Sequence, residues 1–180
     1  MRKTLQSNRA TTHVVNPFPG DDHDHQHCID EALAEAERLC AERGRRLTAL
    51  RRRVLELIWA SHQPVKAYEL LARLQEASAS AAPPTVYRAL DFLLAEGLIH
   101  RLASLNAYVG CGQPDHHHAG QFLICQGCEA VAELDDPAIA GLISEKAENQ
   151  GFSLVDQTIE LEGLCPECRD NANDRGVVHD

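Results

Sequence analysis

The chain has 180 residues, 44% of them hydrophobic and 4% aromatic, with a formal net charge of −10. That is enough apolar material for one good core or two small ones, and no stretch approaches the roughly 18 apolar residues of a membrane span. The opening MRKTLQSNRATTHVVNPFPG lacks the apolar core and cleavage pattern of a signal peptide; a cytoplasmic protein is expected, whose seven cysteines imply metal ligation or thiol chemistry rather than a disulfide framework.

Residues 1–28 read as a loose, His-rich tail ending in DDHDHQHC, too polar to pack. From Asp30 the pattern turns helical and stops at Gly44. Thr48 suits the N-cap of a second helix with Leu50, Val54, Leu57 and Ile58 on one face, ending before Pro64. Six arginines lie between Arg43 and Arg53; such a run, including Arg51 and Arg52, is either a phosphate-binding patch or a solvated helix face. The patch stands out because the excess acid lies elsewhere: residues 102–180 carry 14 acidic and 3 basic side chains.

A third helix, AYELLARLQEA, carries Leu70, Leu71 and Leu74, and SASAAPP is a loop. In the fourth, PTVYRALDFLLAEG, Pro84 marks the start and Gly97 the stop. Val86, Leu90, Leu93 and Leu94 form its apolar stripe, which turns Arg88, Asp91 and Ala95 outward. An arginine so placed can meet a guanine edge in a major groove. LIHRLASLNAYVGC then reads as two strands around a Ser104–Asn106 turn. Helices followed by a hairpin make residues 29–103 a winged helix-turn-helix domain.

Residues 104–120 form a hinge. Residues 121–170 are expected to form a small β-β-α-β unit: strands QFLIC and AVAEL, a helix with Asp136 as cap, Pro137 at its first position and Gly151 at its end, then the strand FSLVDQTIEL. Residues 171–180 are a tail. The fold class is α+β, and the second unit is small enough to need a partner surface, which dimerisation supplies.

Two C-x-x-C pairs forty residues apart give four thiolates, Cys125, Cys128, Cys165 and Cys168, the number a closed tetrahedral zinc site takes. A redox pair would open a helix, whereas each pair here is expected at a strand end. In so small a unit the metal contributes folding energy. A second set of candidate ligands comprises His100, Cys111, His116, His117, His118 and Glu133, a mixed nitrogen, sulfur and oxygen group that suits zinc. Drawn from the helix-turn-helix unit, the hinge and the second unit, one ion on this set would tie the halves together. Cys40 beside Leu39 reads as a small core residue, and Cys28 as an idle thiol or, failing that, an auxiliary ligand.

RLTALRRRVLELI, PPTVYRALDFLLAEGLIHR, NAYVGC and the two C-x-x-C pairs resemble the ferric uptake regulator superfamily, within it the zinc-responsive branch, over roughly residues 30–168. The resemblance implies a homodimeric repressor that binds double-stranded DNA at an inverted-repeat operator, with no membrane partner, no small-molecule substrate and no enzymatic activity. It implies two Zn2+ per chain: a structural zinc on the four cysteines, and a regulatory zinc on His100, Cys111, His118 and Glu133. DNA contacts fall by the same resemblance on Tyr68 and Arg88. The histidine triplet departs from the family's single histidine, so a further weak site at His116/His117 or in the N-terminal tail is one expectation. Three rival readings are an iron- or peroxide-responsive regulator, which Cys111 disfavours because thiolate suits zinc; a zinc hydrolase with Glu133 as base, for which no oxyanion donors are evident; and a purely structural zinc module that binds a protein, which would leave Arg88 and the arginine run without a role.

Overall fold

The computed structural model describes residues 13–18, 25–61, 63–77, 82–115 and 118–174. His116, His117, the remainder of the N-terminal tail and residues 175–180 lie outside the described residues.

Strand β1 (His13–Asn16) precedes four helices: α1 (His25–Glu42), α2 (Ala49–Trp59), α3 (Ala67–Ala77) and α4 (Pro83–Ala95). α2 starts where predicted: Thr48 is extended and its hydroxyl accepts from the Arg51 N–H at 3.4 Å. α1, α2, α3 and α4 close on one core that includes Leu33, Ala36, Val54, Ile58, Leu70, Val86, Leu90 and Leu93. Cys40 is part of it, at 2% exposure, and burial pushes its thiol pKa up. The stripe of α4 differs slightly from expectation, with Ala89 buried and Leu94 only partly so.

Strands β2 (Ile99–Leu102) and β3 (Ala107–Gly110) form the antiparallel wing, turning through Asn106 at φ 48°. Val65 adds a one-residue bridge to β3, exchanging both backbone hydrogen bonds with Tyr108, each 2.9 Å. Trp59 at the end of α2 packs closely on the exit of the wing. A Cβ on Gly110 would fall 2.2 Å from Trp59 Cε2, so only glycine allows this approach one residue before Cys111.

The second unit comprises β4 (Gly120–Cys125), β5 (Val131–Asp135), α5 (Pro137–Glu148), β6 (Thr158–Gly163) and α6 (Pro166–Asp174). Asp136 caps α5, accepting from the Ala138 N–H at 2.9 Å, and Pro137 follows at its first position. The sheet order is β1-β5-β4-β6, with β4 and β6 parallel and the other pairs antiparallel. Leu102, Leu105 and Val109 of the wing pack with Phe122, Ile124 and Val131, a small core that joins the two units. Among the described residues no helix is long and apolar enough to cross a membrane.

Two expectations are corrected here. The segment 1–28 is not wholly a loose tail: HVVN pairs with β5 as an edge strand, and α1 begins at His25 rather than Asp30. The strand is four residues long in a polar stretch and owes its order to a partner more than a hundred residues away, which local pattern cannot reveal. The last strand is Thr158–Gly163, displaced from FSLVDQTIEL toward the second cysteine pair by its parallel register with β4.

Candidate metal centres and nucleic-acid interface

The four cysteines of the two C-x-x-C pairs converge, their sulfurs all within 4.8 Å of one another. Cys125 ends β4, Cys128 follows in the knuckle, and Cys165 and Cys168 flank the start of α6. The second pair therefore opens a helix rather than ending a strand. What sets it apart from a redox pair is the other knuckle facing it. Cys128 Sγ lies 3.8 Å from Cys165 Sγ, the spacing of about 3.8 Å that tetrahedral zinc with bonds of about 2.3 Å imposes.

Backbone amides complete the pocket. Gly127 N–H and Cys165 N–H each donate to Cys125 Sγ at 3.3 Å, and Cys168 N–H donates to Cys165 Sγ at 3.4 Å. Burial pushes the Cys125 thiol up, but the amides of Cys165, Cys128 and Gly127 outweigh it and bring the pKa down to about 6. Cys168, facing the sulfurs of Cys165, Cys125 and Cys128, is pushed up to about 12. Four sulfurs this close cannot all ionise unaided, and a divalent cation removes that conflict.

The second cluster brings together His100 from β2, Cys111 after β3, His118 before β4 and Glu133 from β5, again with donor atoms within 4.8 Å. His118 Nε2 lies 2.8 Å from Glu133 Oε1 and 3.8 Å from Cys111 Sγ. His100 Nε2 lies 2.9 Å from the same carboxylate oxygen, yet among the described residues it makes no hydrogen bond in acceptable geometry. A buried ring nitrogen whose near carboxylate is poorly aligned is costly, and a metal ion among these donors would satisfy it. The other oxygen, Glu133 Oε2, accepts from the Gly112 N–H at 2.9 Å, which fixes the carboxylate next to Cys111.

Burial pushes the Glu133 carboxyl up, but His100 and His118 outweigh it and hold it at about 2. Burial likewise lowers His100, and its contacts with Cys111 and Glu133 raise it to about 9. The Cys111 thiol is pushed up by burial and pulled below its ordinary value by the two imidazoles. Nitrogen, sulfur and carboxylate oxygen in one largely buried cluster form a donor set that suits zinc.

On the helical unit, Tyr68 is 65% exposed and Tyr87 52%. Arg88 is also exposed, and no hydrogen bond or ion pair among the described residues holds it. It projects from the outer face of α4, beside Tyr87. The arginine run behaves differently. Arg43 and Arg45 reach the buried Glu96 carboxylate at 3.7 and 3.1 Å. Arg51 stacks 3.5 Å over the Phe92 ring and donates to Arg46 O; Arg52 pairs with Glu37 and Arg53 with Glu56, both at 2.9 Å. Much of the run thus works inside the fold, although exposed pairs such as Arg52–Glu37 contribute little and phosphate can compete for them.

The sequence reading missed Glu96, Tyr87, Gly112 and Glu160. An acidic residue at the end of an apolar helix, facing an arginine run, was a usable signal for Glu96. Nothing local marked Glu160, whose partners are 56 and 57 residues away.

The family model described as the ferric uptake regulator family matches residues 42–162. The zinc uptake regulation protein of Escherichia coli is 44% identical over 141 residues, 77% of this chain and 81% of that protein. A solved zinc uptake regulator complexed with zinc and DNA is 41% identical, with a TM-score of 0.77 over 81% of this chain and 97% of its own. The holo form of XcZur is 45% identical, with a TM-score of 0.74 over 78% of this chain and 99% of its own. A winged helix followed by a small sheet unit is the fold shared with these solved relatives, and the chain belongs to the ferric uptake regulator family.

Proposed function

We propose that this protein is a zinc-responsive transcriptional repressor that acts in the cytoplasm, binding operator DNA as a homodimer when its regulatory site is filled and so repressing zinc-uptake genes. The observation that carries this reading is the division of the second cluster: His100 comes from the wing, whereas His118 and Glu133 come from the other unit. Bound there, zinc supplies a cross-link between the helix-turn-helix unit and the sheet. The thiolate of Cys111 favours zinc over the iron of related regulators.

Two zincs per chain fit the two four-donor clusters. Cys125, Cys128, Cys165 and Cys168 hold the second unit together, and His100, Cys111, His118 and Glu133 sense. The buried knuckle bonds make the first site part of the fold. At the second, Glu133 anchors on Gly112 and gathers both histidines, so the hairpin carrying His100 is drawn onto the sheet. This favours one orientation of α4 in each protomer, which two half-sites about a helical turn apart require. A coupling of about 1–3 kcal/mol would change DNA affinity roughly 5- to 150-fold.

The dimer reading is supported by α5, which buries none of its own residues and leaves Ile139, Leu142 and Ile143 exposed, with Phe152, Leu161 and Leu164 also open. An apolar surface of this kind on so small a unit marks an interface. Tyr68 and Arg88 are the proposed DNA contacts, with Arg51 and Arg52 at the flank of the surface. Selection of binding sequences from a random DNA pool by the zinc-loaded protein tests the reading. An enriched inverted repeat is expected; enrichment of no sequence, or of the same sequence by protein with its regulatory site stripped, would overturn it.

A further inference from the structure

Glu160 stands on β6 of the C-terminal sheet, but its carboxylate serves the turn of the wing. Oε1 accepts from the Ala103 N–H at 2.7 Å, and Oε2 accepts from the Ser104 N–H at 3.0 Å and from the Ser104 hydroxyl. Burial pushes this carboxyl up, and the Ser104 and Ala103 donors outweigh it and hold it below the ordinary range.

The hairpin that carries this turn is the one that presents His100. It is therefore held to the C-terminal sheet at three places: its base, through His100 and Glu133; its inner face, through Leu102, Leu105 and Val109; and its turn, through Glu160. The apolar contact has no direction and tolerates sliding. The carboxylate with its three donors does not, because charge-assisted hydrogen bonds to a turn fix both distance and orientation. A swing of the wing that withdraws His100 from Glu133 also withdraws Ser104 from Glu160, since both donors ride on one rigid two-stranded element.

We propose that Glu160 is a positioning residue that clamps the wing turn to the C-terminal sheet in the DNA-competent arrangement, so that filling the regulatory site is transmitted to the orientation of α4. This rests on the repressor reading given above. The clamp adds a metal-independent contact to the same interface, which sharpens the choice between docked and undocked wings.

The test uses zinc-loaded full-length dimers of Glu160→Ala, Glu160→Gln, Ser104→Ala and the Glu160→Ala/Ser104→Ala double variant. Glu160→Ala is expected to bind an operator fragment about tenfold more weakly at saturating zinc, with zinc per chain, dimer mass and affinity for random DNA unchanged. Glu160→Gln, keeping one acceptor oxygen, falls between, and the double variant is no worse than Glu160→Ala alone. The ratio of operator affinity with the regulatory site filled to that with it stripped should shrink in step. Hydrogen exchange at the Ala103 and Ser104 amides examines the contact without DNA: protection in the parent and its loss in Glu160→Ala are expected. Unchanged protection, an unchanged affinity ratio, or full additivity of the two single variants would overturn the clamp. A parent protein whose operator binding ignores zinc would overturn the repressor reading, and with it the clamp's role in transmission, while the exchange data still decide the contact.

Discussion

Replacing Cys111 by serine removes one donor from the regulatory cluster while leaving the fold intact. The side chain is buried, at 4% exposure, and its sulfur lies 3.8 Å from His118 Nε2, so the shorter serine hydroxyl needs a small shift of that imidazole to gain a hydrogen bond, a cost smaller than the stability of the fold. The magnitude follows from linkage. A ligand that binds only the docked arrangement, present at about 100 times its Kd, stabilises that arrangement by about 2.7 kcal/mol. Loss of the thiolate that weakens zinc about a hundredfold lowers this to about 0.4 kcal/mol at the same free zinc, a fall of roughly 50-fold in operator affinity. Fluorescence anisotropy on a labelled operator fragment in zinc-buffered solution measures it, with sedimentation and zinc analysis alongside. A Cys111→Ser protein that is dimeric, retains the zinc of the cysteine cluster and has lost zinc-dependent DNA binding is the expected result. Unfolding, or a titration superimposable on that of the parent, would refute the assignment of Cys111 to a sensor.

Arg88→Ala is expected to weaken operator binding by about 1–3 kcal/mol and to relax discrimination at the base it contacts; equal loss on random DNA, in a competition assay, would demote it to a phosphate contact. Gly127→Ala places a Cβ 2.9 Å from Cys168 Sγ and 3.1 Å from Cys168 Cβ, and a ligand sulfur cannot yield without leaving its position. Thermal unfolding with zinc analysis should show a less stable protein that loses metal from the cysteine site, and unchanged stability would contradict that site's geometry. The third prediction concerns pH. In the metal-free cluster His100 titrates at about 9 and Glu133 at about 2. The raised imidazole therefore stabilises the fold below its ordinary value of about 6.5 and loses that contribution as pH climbs through about 9, whereas the depressed carboxyl contributes above its ordinary range and fails only as pH falls through about 2. At pH 7 the regulatory zinc must displace the proton of His100, so its affinity should rise with pH up to about 9. Calorimetry in buffers of different ionisation enthalpy reads the released proton, and heats independent of the buffer would contradict the coupling.

Much of this molecule was legible where local pattern and local function coincide. Thr48, Pro137 and Gly97 punctuate the helices where their chemistry dictates, and the spacing of Cys125, Cys128, Cys165 and Cys168 announced a four-sulfur cluster that the fold assembles. The second cluster was harder, because His100, Cys111, His118 and Glu133 share no local motif; a resemblance singled out the set, and the structure brings their donor atoms together. What the sequence hid depends on distant partners. The arginine run read as either a phosphate patch or a solvated helix face, yet Arg43 and Arg45 neutralise the buried Glu96 and Arg51 covers Phe92. The strand at His13–Asn16 exists because β5 offers it an edge. Its Val15 and Asn16 lie where a Cβ on Gly112 would fall, 2.7 Å from Val15 Cγ1 and 3.4 Å from Asn16 Cβ, so this segment presses on the residue that anchors Glu133.

The central claim is that a second zinc, held between wing and sheet, switches DNA binding on. Titration of an inverted-repeat promoter fragment against buffered free zinc, with metal per chain determined in parallel, tests it most directly. The account predicts that binding appears as occupancy rises from one zinc per chain to two. Binding that is already complete at one zinc, or that never appears at any zinc level, would contradict it.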